Sequence, residues 1–150
     1  MVLSYAYLDF ETEAIGPRPK HCPPKPAGFA LKRAGWKKGR YFAFAHDSAN
    51  NCSREDALNQ LRSLWESREE IVMHNSKFDY EVALAMGLPK LNPLRLHDTM
   101  FLLFLDDPHA KSFALKPATE AYLNVPPTER DELRDWIVKT PAKDNEDLVF

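Results

Sequence analysis

Two acidic residues stand two positions apart near the start of the chain, in the stretch YLDFETEA. Side chains at positions i and i+2 of a β-strand project from one face, so Asp9 and Glu11 are predicted to lie side by side, with Phe10 pointing into the opposite layer. Neighbouring carboxylates repel each other, which raises the pKa of one of them unless a cation lies between them. Because carboxylate oxygens suit Mg²⁺ and Mn²⁺, the pair predicts a divalent metal site, and Thr12 next to it offers a hydroxyl and an amide to a substrate.

A second group of polar and aromatic side chains follows a short apolar stretch, in the sequence HNSKFDYE. Asn75, Phe78 and Asp79 stand at positions i, i+3 and i+4, which share one face of a helix. The amide can bond a phosphate or sugar oxygen, the ring can pack on a base or ribose, and the carboxylate can hold a second metal ion. The second group therefore strengthens the interpretation of the first as a metal site.

Both groups also have a plainer structural interpretation. Asp9 and Glu11 can be solvated acids of an edge strand. Phe78 can belong only to the core, Asn75 can be only the N-cap of its helix, and Asp79 can be only an acid that stabilises the first helical turn. Spacing alone leaves these alternatives open.

The predicted strands indicate how the acidic pair is positioned. They cover Val2 to Phe10, FALKRA, RYFAFAH and EIVMH. The second and third are joined by GWKKG, a hairpin-like connection with glycine at both ends, so the first three strands are predicted to form an antiparallel meander. A proline-rich stretch, GPRPKHCPPKPAG, predicts a long loop between the first strand and the second.

Helices are predicted between and after these strands. The first begins at Ser53, which forms a capping-box-like pattern with Asp56, and the second follows EIVMH and ends at Gly87. Three further helices are predicted, over TMFLLFL with Asp98 as its cap, over Leu115 to Leu123 and over an amphipathic segment that opens at Thr128. Strands that come first and then alternate with helices predict an α/β domain with a mixed, mostly five-stranded sheet flanked by helices.

Length and composition bound the class of protein. A chain of 150 residues with 44% hydrophobic and 28% charged residues is predicted to fold as a single globular domain over residues 1–150. No apolar run approaches the roughly 20 residues of a membrane span, and the N-terminus lacks a secretory signal pattern, so a cytoplasmic protein is predicted. Cys22 and Cys52 match no zinc spacing and are predicted to be free thiols.

The net charge of −2 hides an uneven distribution of charged residues. No acid occurs from residue 14 to residue 46, a range that holds eight of the twenty basic residues. Trp36, Tyr41 and Phe42 lie among these charges, a mixture that suits phosphate contacts and base stacking. The lysines can equally protect an edge hairpin from pairing with another sheet, so a nucleic-acid surface and an edge hairpin are both compatible with this stretch.

Taken together, L-D-F-E-T and H-N-x-x-F-D resemble the first and second motifs of the DEDD-type 3′-to-5′ exonucleases, the proofreading family with a ribonuclease H-like fold. LHDTMFLLFLDDP and SFALKPATEAYL are also similar to the segments that follow the second motif in the exonuclease domains of family A DNA polymerases and their free-standing phage and bacterial relatives. The resemblance covers essentially the whole chain.

The resemblance implies an enzyme that removes nucleoside monophosphates from single-stranded DNA 3′ ends with two Mg²⁺ or Mn²⁺ ions. It implies that Asp9 bridges both ions, that Glu11 binds one of them and contacts the terminal nucleotide, and that Asp79 serves the other. A polymerase domain or a replication protein is the implied partner, and no membrane is involved. The motif positions that hold the frayed strand end in this family are matched by Thr12, Asn75 and Phe78.

The chain departs from the family at the third motif, a tyrosine or histidine followed four positions later by the fourth aspartate. The four candidates after Asp79 each lack an aspartate at that spacing: Tyr80, His97, His109 and Tyr122. The first metal site is then one ligand short. An exonuclease domain that lacks its C-terminal part is therefore predicted.

Two other functions compete with this interpretation. A catalytically incomplete nucleic-acid-binding module of the same fold is the first, because the fourth carboxylate is missing. A phosphatase with an aspartyl nucleophile is the second, since it also begins with D-x-D-x-T at a strand end, but Glu11 replaces the second aspartate. RNA substrates stay open as well, because no residue visibly reads the 2′-hydroxyl.

Overall fold

A computed structural model of the chain describes residues 3–13, 22–46 and 49–124. The chain divides into two compact units, Met1–Thr99 and Met100–Phe150. The segment predicted to open at Thr128 lies outside the described residues, as do residues 16–21 of the proline-rich stretch. Within the described ranges, no helix is long and apolar enough to cross a membrane. Cys22 and Cys52 are free thiols, as predicted.

The first unit is built on a five-stranded mixed sheet. Its strands are β1 (Tyr5–Thr12), β2 (Pro26–Lys32), β3 (Arg40–Ala43), β4 (Glu70–Met73) and β5 (Leu96–Asp98). Their order in the sheet is β3-β2-β1-β4-β5, which differs from their order in the chain and makes β1 the central strand. The pairs β1–β2 and β2–β3 are antiparallel, whereas β1–β4 and β4–β5 are parallel. The predicted α/β class with a mixed five-stranded sheet and flanking helices is confirmed.

Alternation along β1 separates a buried face of the sheet from an open one. Ala6, Leu8 and Phe10 are buried in the core, while the residues between them face outward and are exposed. The buried face joins one hydrophobic cluster with α1 (Arg54–Glu66) and α2 (Ser76–Ala85). The prediction that Phe10 points into the layer opposite the two acids is therefore confirmed.

Local signals placed the helices of this unit correctly. The predicted capping box is present at the start of α1, where the Asp56 amide donates to Ser53 Oγ at 3.0 Å and the Ser53 amide donates to Asp56 Oδ2 at 3.4 Å. After α2, Gly87 takes a φ of +91°, a left-handed conformation that glycine adopts without strain. The start of α1 and the end of α2 are therefore set by residues that are close to them in the chain.

Strand boundaries differ from those predicted. β1 extends two residues beyond Phe10, so Glu11 lies inside the strand, and β3 ends at Ala43. The location of β5 was not predicted, because Leu96–Asp98 is too short for an alternation signal and is recognised only through its pairing with β4.

The second unit contains α3 (Thr99–Asp106) and α4 (Leu115–Leu123) among its described residues. Both match the predicted helical segments, and α4 carries Pro117 in its first turn, where the missing amide hydrogen costs nothing. Phe104 and Phe113 meet edge to face with ring centroids 5.7 Å apart, and the Tyr122 hydroxyl donates to Asp106.

A half-buried ion pair ties the β2–β3 hairpin to the segment that leads into β4. Glu69 accepts from Arg33 Nε at 2.7 Å and from the Ala34 amide at 2.9 Å, and Arg33 also donates to Ser63 Oγ at 2.9 Å. Only 8% of the Glu69 surface is exposed, so its carboxylate is largely shielded from solvent.

Replacing Glu69 by alanine is expected to lower the free energy of unfolding by about 2 kcal/mol, because it removes the buried carboxylate that accepts from Arg33 Nε and from the Ala34 amide. Urea titration followed by tryptophan fluorescence measures this change. The matched control is Glu55→Ala, which breaks the exposed pair with Arg62 and should cost less than about 1 kcal/mol. Equal losses in both variants would contradict the assigned role of Glu69.

Candidate functional site

The two acids of β1 lie on the open face of the sheet. Asp9 and Glu11 are both exposed, and their partners on β2 are Ala30 and Gly28, two of the smallest residues. Ala30 is exposed beside Asp9, and the Tyr41 side chain lies over Gly28 next to Glu11. The predicted placement of Asp9 and Glu11 on one face is therefore confirmed.

The third acid, Asp79, reaches β1 from α2. Its Oδ1 accepts a hydrogen bond from the Phe10 amide at 2.8 Å, and only 2% of its surface is exposed. Phe10 is the residue between Asp9 and Glu11, so this bond joins the helix of the second motif to the middle of the first motif. Stabilising the first turn of α2 is thus not the only role of Asp79.

Burial and neighbouring charge oppose the ionisation of this carboxyl group. Burial raises the pKa of Asp79 to about 6, the Phe10 amide counteracts part of that rise, and the charge of Asp9 adds to it. Burial also raises the pKa of Asp9, although the residue as a whole is exposed, and the charge of His74 opposes that shift. Asp9 is therefore close enough to disfavour the charge of Asp79, an effect that a cation would reverse.

The donor chemistry fits a divalent cation only in part. Asp9 and Asp79 supply hard oxygen ligands, and they lie close enough for the charge of Asp9 to act on the Asp79 carboxyl group. No three His, Cys, Asp or Glu side chains in the described part of the chain are gathered closely enough to hold a metal ion together. The structure therefore joins Asp79 to the strand of the acidic pair but does not bring Glu11 into a preformed three-ligand cluster.

Asn75 occupies the N-cap position of α2 without capping the helix through its side chain. Its backbone is left-handed, with φ of 61°, and its side chain is exposed and makes no capping bond. The capping is done by Asp98 at the end of β5, which accepts from the Asn75 amide at 3.0 Å and from the Ser76 amide at 2.8 Å. The N-cap interpretation therefore does not account for the Asn75 side chain, which is available to a ligand.

Phe78 and Thr12 have clearer local roles. Phe78 is half-buried and packs against the hydrophobic core, as its plainer interpretation predicts. Thr12 is half-buried at an irregularity of the β1–β2 pairing, and its hydroxyl donates to the Glu13 carbonyl at 3.1 Å. Contact of either residue with a substrate stays a prediction.

His74 is a polar residue of this site that spacing did not single out. Its Nδ1 lies 2.9 Å from Thr99 Oγ1, and that hydroxyl donates to the Met73 carbonyl at 3.2 Å. Since the hydroxyl hydrogen is used there, Thr99 accepts from Nδ1–H. The sequence signal was only its place directly after β4, which runs parallel to the acidic strand.

The aromatic residues of the basic stretch differ in exposure. Trp36 is covered by the Arg40 guanidinium, 4.4 Å from its ring centroid, and Phe42 stacks on the buried Phe29 with centroids 4.9 Å apart. Tyr41 alone among the three predicted stacking residues is exposed. The prediction of base stacking by Trp36 and Phe42 therefore finds no support in the structure, because both rings already have partners.

No protein-family model matches this chain, and no curated protein sequence is significantly similar to it. The function is accordingly inferred from the residues and from their arrangement.

Proposed function

We propose that the chain is a metal-dependent 3′-to-5′ exonuclease domain of the DEDD type, which removes nucleoside monophosphates from single-stranded DNA ends. The hydrogen bond from the Phe10 amide to Asp79 carries this proposal. It joins the two motifs that resemble the family, 69 positions apart in the chain, through the residue that separates Asp9 from Glu11.

The fold supports the proposal at a coarser level. A five-stranded mixed sheet flanked by helices is what a ribonuclease H-like domain requires. The acidic pair lies on the central strand, and the helix with Asp79 follows the parallel neighbour of that strand. Ligands of α/β sheets gather at such carboxyl ends of parallel strands.

The residues have separable roles in this mechanism. Asp9 and Asp79 would hold divalent cations, and such ions would activate a water molecule and stabilise the leaving 3′-oxygen. The Phe10 amide fixes the orientation of Asp79. Glu11 projects from the same face of β1 as Asp9 and contacts the terminal nucleotide, while the exposed amide of Asn75 bonds a phosphate or sugar oxygen.

A nucleic-acid-binding module without hydrolytic activity is the second candidate. Three carboxylates are present where the two-metal mechanism of this family uses four, and within the described residues no three of them are gathered as a metal cluster. A site that binds metal weakly can still bind the end of a nucleic-acid strand, but it hydrolyses that strand slowly. A polymerase domain or replication protein that completes the site is the partner proposed for either case.

Single-stranded DNA labelled at its 5′ end separates these functions. Incubation with Mn²⁺ is expected to produce a ladder shortened from the 3′ end together with nucleoside monophosphates, and a chelator should stop the reaction. The same assay with an RNA strand of matching sequence tests whether the chain prefers DNA or RNA. Binding without any release at high Mn²⁺ would favour the binding module, and cleavage inside the strand would exclude an exonuclease.

A further inference from the structure

A tyrosine lies across the open sheet face next to Glu11. Gly28 is the cross-strand partner of Glu11, and the Tyr41 side chain leans directly over it from β3. A β-carbon added at Gly28 would stand 2.5 Å from the Tyr41 hydroxyl and 2.8 Å from its ring. Only glycine therefore lets Tyr41 reach the position beside Glu11.

Hydrogen bonds on several sides hold Tyr41 in this place. Its hydroxyl pairs with His46 Nε2 at 2.8 Å, and its carbonyl accepts from Asn51 Nδ2 at 2.8 Å. The backbone of His46 exchanges two further bonds with the Asn50 side chain, each 2.9 Å long. An aromatic ring with 39% of its surface exposed is thus fixed in one orientation before any ligand arrives.

The surroundings of the ring suit the end of a nucleic-acid strand. Ala30 lies between Asp9 on β1 and Tyr41 on β3 and is itself exposed. Two strand spacings separate β1 from β3, which is roughly 10 Å and comparable to a nucleoside. Lys32 is exposed on the same face, with its ammonium 5.9 Å from the Tyr7 ring centroid, and can meet a phosphate.

We propose that Tyr41 contacts the substrate by stacking on the terminal base of a DNA strand whose last phosphate lies at Asp9 and Glu11. This inference rests on the proposed function for the position of that phosphate. Stacking on a fixed ring is tolerant of base identity, as a general exonuclease requires. Glycine at position 28 is then a requirement of the substrate site as well as of the sheet.

Binding of a 3′-terminal 2-aminopurine oligonucleotide tests this contact, because stacking quenches the fluorescence of that base. With Ca²⁺ in place of Mn²⁺, Tyr41→Ala is expected to weaken binding about tenfold and to abolish the quenching. Tyr41→Phe keeps the ring and should bind within about twofold of the parent chain. Tyr5→Ala is the matched control, since Tyr5 is 38% exposed on β1 and should not affect binding.

Several outcomes would overturn the contact. They are parent-like binding and quenching by Tyr41→Ala, equal losses in Tyr5→Ala, equal quenching when the 2-aminopurine lies in the middle of the strand, and failure of the parent chain to bind. Tyr41→Leu retains bulk and should reproduce the loss if Tyr41→Ala does not fold. Cleavage is scored separately with Mn²⁺. If Tyr41 quenches the fluorescence but no monophosphates are released, the exonuclease activity is contradicted and the Tyr41 contact is not. If monophosphate release is unaffected by Tyr41→Ala, the Tyr41 contact is contradicted and the exonuclease activity is not.

Discussion

Replacing Asp9 by asparagine is expected to lower the rate of Mn²⁺-dependent monophosphate release about a thousandfold or more. Asparagine has nearly the same shape but no charge, so it cannot hold the cation that activates water and stabilises the leaving oxygen. Loss of several kcal/mol of transition-state stabilisation corresponds to a change of this size. Single-turnover assays on single-stranded DNA measure it without a contribution from product release.

The Asp9→Asn variant should fold as well as the parent chain. Asp9 lies on the open face and its strand partner is Ala30, so no core contact is changed. Glu13→Gln is the matched control, because Glu13 is an exposed acid four positions further along the same segment. It should leave the rate within about twofold, a difference well below 1 kcal/mol. Parent-like release by Asp9→Asn would exclude Asp9 as a metal ligand.

Features of the fold that depend on neighbouring residues were predictable from the sequence. Alternation along β1 identified which side chains face the core, and the Ser53 pattern identified the start of α1. The limits of α4 were also correct, because Ala114 and Asn124 flank an uninterrupted helical segment. In each case the residues that define the feature lie within one helix or one strand, so the feature can be predicted without knowing any tertiary contact.

Features that depend on pairing between distant segments were not predictable in the same way. The strand β5 is defined by Met73 opposite Asp98, two residues 25 positions apart. That pairing also brings the Asp98 carboxylate to the first amides of α2, a contact that its sequence context does not reveal. A single chain sequence carries no direct record of such a register.

The candidate site shows the same division. The face shared by Asp9 and Glu11 follows from strand geometry, and the arrival of Asp79 was implied by a resemblance of motifs. The orientation of Tyr41 depends on the absence of a side chain at Gly28, which spacing within β3 cannot reveal. Residues that act through a neighbouring strand are therefore recognised only when the sheet is assembled.

Replacing Asp79 by asparagine is expected to stabilise the chain at neutral pH, although it should abolish cleavage. Burial raises the pKa of Asp79 from its ordinary value of 3.8 to about 6. The folded state then binds a proton more readily than the unfolded state, so the stabilising contribution is complete below about pH 4 and is lost as the pH rises through 6. Above that range, ionised Asp79 costs about 3 kcal/mol, and the asparagine variant avoids this cost.

Urea unfolding of both chains between pH 4 and pH 7.5 measures this difference, since other titrating groups cancel between them. The gap should be smallest at the acidic end and widen toward neutrality, with asparagine retaining an oxygen to accept from the Phe10 amide. A gap that is constant or narrows as the pH rises would contradict the burial of an ionisable group at this position. Mn²⁺ provides the link to function: a cation bound by ionised Asp79 stabilises the folded parent chain more than the variant, which keeps only Asp9 and Glu11, so added metal should reduce the gap at neutral pH. At a cation site, the ionised acid is expected to destabilise the metal-free chain at neutral pH and to destabilise it less once the metal binds.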